Sequence, residues 1–98
     1  MITTIIADDH KILREGLRSL LKSEPDIEIL GEAEDGRTAV QLAEDLSPDI
    51  VIMDVGMPTL NGIDATAQIK AKKPEAKIVA LSIHSDQRFV SKMFLAGA

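Results

Sequence analysis

A chain of 98 residues has room for one domain and one core, and at that size it buries roughly 60–70% of the surface its unfolded form exposes. Hydrophobic residues at 45% and charged residues at 28% give an ordinary globular composition rather than that of a disordered tail. A net charge of −5 with no basic stripe argues against direct binding to a nucleic-acid backbone. Two Phe with no Tyr or Trp leave no platform for stacking bases. Without cysteine there is no disulfide framework, thiolate metal site or cysteine nucleophile. The start, Met1-Ile2-Thr3-Thr4, lacks a signal peptide's charged and apolar regions, and no apolar run is long enough to span a bilayer. A cytoplasmic location is the expectation.

In chain order, strand and helix signals alternate. Residues 2–7 (ITTIIA) are apolar and β-branched, the pattern of a strand. From Asp9 to Ser23, Ile12, Leu13, Leu17, Leu20 and Leu21 recur at helical spacing; Asp9 is placed as the N-cap, and Glu24-Pro25-Asp26 ends the helix. Residues 27–33 (IEILGEA) alternate weakly and predict a second strand. Asp35-Gly36 makes a turn, and Thr38 to Leu46 reads as a second helix, broken by Ser47-Pro48. The run 50–53 (IVIM) is continuously apolar, as a strand covered on both faces requires.

Asp54 to Gly62 reads as a loop, Ile63 to Lys72 as a third helix closed by Lys73-Pro74, and residues 77–83 (KIVALSI) as a fourth strand. Ser85 or Asp86 then caps a fourth helix running toward Ala96, with Gly97-Ala98 as its C-terminus. Short connections between alternating strands and helices predict a parallel α/β sheet with helices on both faces.

In such sheets, ligands bind beyond the carboxyl ends of the strands, where strand order reverses. Asp8 and Asp9 follow the first strand, Asp54 the third, and Ser82, Ile83 and His84 the fourth. Taken alone, Asp8-Asp9 reads as a helix cap beside a solvated carboxylate, and Asp54 as a turn residue. Together they converge on one edge, where clustered carboxylates repel unless a cation compensates. An all-oxygen set favours a hard cation such as Mg2+. His10 reads as a first-turn surface residue and His84 as a loop residue, neither a metal ligand. Met53, Met57, Met93 and Phe94 read as packing residues, and Pro58 as shaping its loop.

Ala7-Asp8-Asp9-His10, Asp54-Val55-Gly56-Met57-Pro58 with Asn61-Gly62, and Leu81-Ser82 followed by Leu95-Ala96-Gly97-Ala98 resemble the receiver domain of two-component response regulators. Arg14-Glu15-Gly16-Leu17 and the stretch 81–86 (LSIHSD) resemble the NarL/FixJ type in particular. The resemblance runs through the whole chain and implies a flavodoxin-like doubly wound parallel sheet of order 2-1-3-4. It implies Asp54 as phosphoacceptor and Mg2+ held by Asp8, Asp9, Asp54 and the Gly56 backbone carbonyl. Ser82 would donate a hydrogen bond to the phosphoryl group. It further implies a sensor histidine kinase or a small phosphodonor as the donor, and a DNA-binding output domain elsewhere. The domain itself would act as a phosphoacceptor, not an enzyme.

The family continues into a fifth strand and helix, and that strand carries a lysine and an aromatic switch residue. No residue of 1–98 matches these, so the receiver domain is expected to be incomplete at its C-terminal end. Loss of the lysine contact, worth roughly 1.5–3 kcal/mol, would slow transfer on the order of 10–100-fold. The fourth strand would then be an edge, and self-association through that strand or the fourth helix is expected. The alternative function is a phosphorylation-impaired dimerisation or interaction module. A dehalogenase-like phosphohydrolase ranks third, since its nucleophile lies in an Asp-x-Asp pair after the first strand. Dinucleotide binding is weaker still without Gly-x-Gly-x-x-Gly.

Overall fold

The computed structural model describes residues 1–54 and 61–81. Four strands and three helices alternate: β1 (Ile2–Ala7), α1 (Lys11–Lys22), β2 (Ile27–Ala33), α2 (Gly36–Leu46), β3 (Ile50–Asp54), α3 (Gly62–Lys72) and β4 (Lys77–Leu81). The strands form one parallel sheet, as the alternation predicts, in the order β2-β1-β3-β4 that the resemblance implies. The first crossover runs one way along the sheet and the next two run back. Right-handed crossovers therefore place α1 on one face and α2 with α3 on the other, and α2 does pack against α3 while α1 packs on β1 and β2. Order reverses between β1 and β3, so the residues leaving those two strands share one crevice.

Among the described residues the core is aliphatic. Ile5, Ile6, Val51, Met53 and Ile69 are buried, with small residues Ala7, Ala33, Ala39, Ala43 and Ala65 at the helix–sheet contacts. Burial is continuous over the last four residues of β1, the mark of a strand covered on both faces.

Local chemistry sets the element ends. Asp35 caps α2, its carboxylate accepting from the Thr38 backbone N–H at 2.8 Å. Asn61 caps α3 in the same way, accepting from the Asp64 N–H at 2.9 Å. Both helices thus begin one or two residues earlier than periodicity indicates. At the C-terminus of α2, Ser47 adopts φ 47° and ψ 58°, a left-handed conformation just before Pro48.

Helix α1 departs from the sequence reading in two respects. It begins at Lys11 with His10 as N-cap, and Asp9 does not cap it. Its buried residue is Arg14, whereas Ile12, Leu13 and Leu20 are exposed at 85%, 37% and 69%. The packing of residues 82–98, including the expected fourth helix, lies outside the described residues.

Candidate functional site

The crevice at the β1/β3 switch point is lined by carboxylates. Asp8 leaves β1 with 1% of its surface exposed, and Asp54 ends β3 with 6% exposed. Asp9 is more open, its side chain 31% exposed. The last pair in the register of β3 on β4 is Asp54 with Leu81, so Asp54 lies within the sheet's backbone ladder. It is a strand residue, one position later than the predicted end at Met53 and no longer part of a loop. That placement gives its carboxylate a rigid base, which a flexible turn would not.

The Asp8 carboxylate organises the turn that follows. Its Oδ1 accepts the His10 backbone N–H at 2.7 Å, closing an Asx turn over residues 8–10. This bond takes the amide that would otherwise sit in a first helical turn started at Asp9, so the helix begins at Lys11. The same turn swings the imidazole over the acids. His10 Nδ1 lies 2.9 Å from Asp8 Oδ1, 3.1 Å from Asp9 Oδ1 and 3.8 Å from Asp54 Oδ2. The hydrogen bond to Asp8 raises the His10 pKa above 6.5, and the charge of Asp9 raises it further.

One donor group each from Asp8, Asp9, His10 and Asp54 can be chosen so that all lie within 4.8 Å of one another. Asp8 Oδ2 is buried and has no hydrogen-bond partner among the described residues. A buried anionic oxygen left in that state is costly unless a cation meets it, and a hard, oxygen-loving divalent cation such as Mg2+ fits this carboxylate set. The residues present therefore suit the metal that the sequence implies.

A residue to which the sequence reading gives no structural role supports the cluster. Arg14 is 7% exposed, and its Nη1 donates to the Asp8 backbone carbonyl at 2.6 Å. Its Nη2 reaches Glu34 Oε1 at 3.3 Å and its Nε lies 3.5 Å from Glu32 Oε1. Glu32 also accepts from Arg18 at 3.0 Å. In the sequence Arg14 stands out only within the motif Arg14-Glu15-Gly16-Leu17, which carries the family resemblance and no structural role. Gly56, Ser82 and His84 lie outside the described residues.

Comparison with known proteins decides the family. The response regulator receiver domain family matches residues 4–98. The chain belongs to that family. It is 43% identical over 98 residues to the transcriptional regulatory protein LiaR of Bacillus subtilis, spanning 100% of this chain and 46% of that protein. It superposes with a TM-score of 0.94 and 37% identity on a LuxR-family two-component response regulator from Aurantimonas sp. SI85-9A1, covering 100% of this chain and 70% of that one. A chain of the CheX–CheY–BeF3–Mg2+ complex from Borrelia burgdorferi is also similar, at TM-score 0.92 and 26% identity over 99% of this chain and 73% of that one. This receiver domain thus spans about half the length of the curated transcriptional regulator it matches. No helix among the described residues is long and apolar enough to cross a membrane.

Proposed function

We propose that this receiver domain accepts a phosphoryl group on Asp54, with Mg2+ held between Asp54, Asp8 and Asp9. The observation that carries the reading is the buried, unpartnered Asp8 Oδ2 within reach of the Asp54 carboxylate at the sheet's switch point. Asp54 attacks phosphorus in line, its oxygen forming the new O–P bond while the donor's P–N or P–O bond breaks and the leaving group keeps the electron pair. A bound Mg2+ supplies charge neutralisation between the anionic nucleophile and the anionic phosphoryl group. The protein contributes position: the β3 ladder fixes Asp54, the Asx turn fixes Asp8, and Arg14 ties the Asp8 backbone to α1.

By resemblance, the Gly56 carbonyl completes the metal's protein ligands and Ser82 hydrogen-bonds the phosphoryl group. The donor is a sensor histidine kinase, the output is a DNA-binding domain beyond residues 1–98, and the receiver domain is not itself an enzyme in the usual sense. A Mg2+-bearing BeF3 complex of a similar fold supports the metal assignment, and the match to transcriptional regulators supports the output. The test is a phosphate-affinity gel after incubation with acetyl phosphate and Mg2+. The parent should shift and Asp54→Asn should not; equal modification of both would remove Asp54 from its role.

A second reading, self-association, is favoured by β4. It is the outermost strand of the described sheet, and Val79 on it is 48% exposed. An apolar strand edge with no partner strand among the described residues can recruit another strand. Sedimentation over a wide concentration range should show a reversible dimer that Val79→Lys weakens; a monomer throughout would exclude it.

A further inference from the structure

The imidazole of His10 is not accounted for by an all-oxygen Mg2+ site. Ligands bound cis on an octahedral ion at about 2.1 Å stand about 3.0 Å apart, and trans ligands about 4.2 Å. The Nδ1 separations from Asp8 Oδ1 and Asp9 Oδ1, 2.9 and 3.1 Å, match neighbouring positions on one ion. The 3.8 Å to Asp54 Oδ2 falls between the cis and trans values. The His10 backbone N–H is tied to Asp8 Oδ1 at 2.7 Å, so the residue that carries the nitrogen donor is anchored to a residue that carries oxygen donors. A buried and unpartnered Asp8 Oδ2 points independently to a cation.

An imidazole nitrogen does little for Mg2+, which prefers oxygen, but much for first-row transition ions, whose affinity for mixed N/O sites rises from Mn2+ toward Ni2+ and Cu2+. Resting on the cation site described above, we propose that Asp8, Asp9, Asp54 and His10 form a mixed N/O centre that binds divalent transition-metal ions in preference to Mg2+, with His10 coordinating through Nδ1. In that state the Nδ1 lone pair faces the metal, and the ring's proton resides on Nε2. The choice of metal in this receiver domain then follows from one side chain beside the carboxylates.

The test uses the 98-residue chain, Mn2+ for pulsed EPR, and Ni2+ and Mg2+ for calorimetric titration. Bound Mn2+ should show modulation from imidazole 14N, retained in His84→Ala and lost in His10→Ala. His10→Ala should weaken Ni2+ binding on the order of 100-fold, the upper range for losing even an outer partner of a metal ligand, while Mg2+ binding does not weaken, since Mg2+ draws on oxygen ligands. Bound Mn2+ without nitrogen coupling, coupling that survives in His10→Ala, or equal losses for Ni2+ and Mg2+ would each overturn the proposal. If Mg2+ binds and Asp8→Asn abolishes it while nitrogen coupling is absent, only the role of His10 fails. If no divalent ion binds at all, the cation site itself fails with it.

Discussion

Arg14 Nη1 donates to the backbone carbonyl of Asp8 at 2.6 Å, joining the middle of α1 to the residue that opens the acidic crevice. Arg14→Met keeps the apolar stem and removes the fork. The loss of a charged hydrogen bond to a buried carbonyl should cost about 1.5–3 kcal/mol, on the order of 10 °C in Tm for a domain this small. Little of that should come from Glu34, whose side chain is 78% exposed. Arg14→Lys should recover only part, because one ammonium cannot meet the carbonyl and both glutamates. Thermal melts followed by circular dichroism would check the order parent, Lys, Met.

Asp8 and Asp54 are buried acids brought together by the fold, and His10 offsets them only in part. Neutralising one should therefore stabilise the metal-free domain while destroying its response to metal. Asp8→Asn is expected to raise Tm without Mg2+ and to abolish the rise that Mg2+ causes in the parent. At a hundredfold excess over Kd that rise corresponds to about 2.7 kcal/mol by mass action, or on the order of 10 °C. A parent indifferent to Mg2+ in differential scanning fluorimetry would contradict it.

The two kinds of site residue differ in how far they could be read in advance. The parallel sheet with helices on both faces followed from alternation, because a run such as 50–53 tolerates no polar face and Pro48 and Pro74 punctuate the helices, whereas its strand order came from the family resemblance. Asp8, Asp9 and Asp54 came with them, since a strand end fixes where its next residue points. His10 and Arg14 did not. The imidazole reaches the acids only because the Asp8 side chain captures the His10 amide, a competition between Asx turn and helix that periodicity cannot decide. Arg14 lies on the buried side of α1 while Ile12 and Leu20 stand in solvent, the reverse of what an amphipathic pattern implies. The reason is electrostatic: Glu32 and Glu34 on and beyond β2 offer partners there.

Ser47 is the one non-glycine among the described residues with positive φ. Its N–H closes the last turn of α2 on the Ala43 carbonyl at 3.0 Å, so the conformation is needed, but the Cβ is not. Ser47→Gly should stabilise by roughly 0.5–1 kcal/mol, the left-handed penalty less the entropy that glycine adds to the unfolded chain. Ser47→Ala should give none of that gain. Urea midpoints for the two variants would separate relief of backbone strain from loss of the hydroxyl.

At the amino-terminal ends of the central strands, Asp49 clamps β1 to the start of β3. Its Oδ2 accepts from the Thr3 backbone N–H at 2.9 Å and from Thr3 Oγ1 at 3.1 Å, while its own N–H donates to Thr3 Oγ1 at 3.0 Å. The Thr3 backbone bond, followed by the hydroxyl, lowers the Asp49 pKa below 3.8. The cap on Asp35 acts in the same direction through the Thr38 N–H. For a carboxylate depressed by folding, the contribution is fully present above the unfolded value and is lost as pH falls through the folded one. Asp49→Asn should therefore lower the urea midpoint at neutral pH, and the gap to the parent should narrow as pH falls through the acid range. A gap that stays constant from neutral to acid pH would show that the carboxylate's charge contributes nothing to the clamp, leaving only its shape.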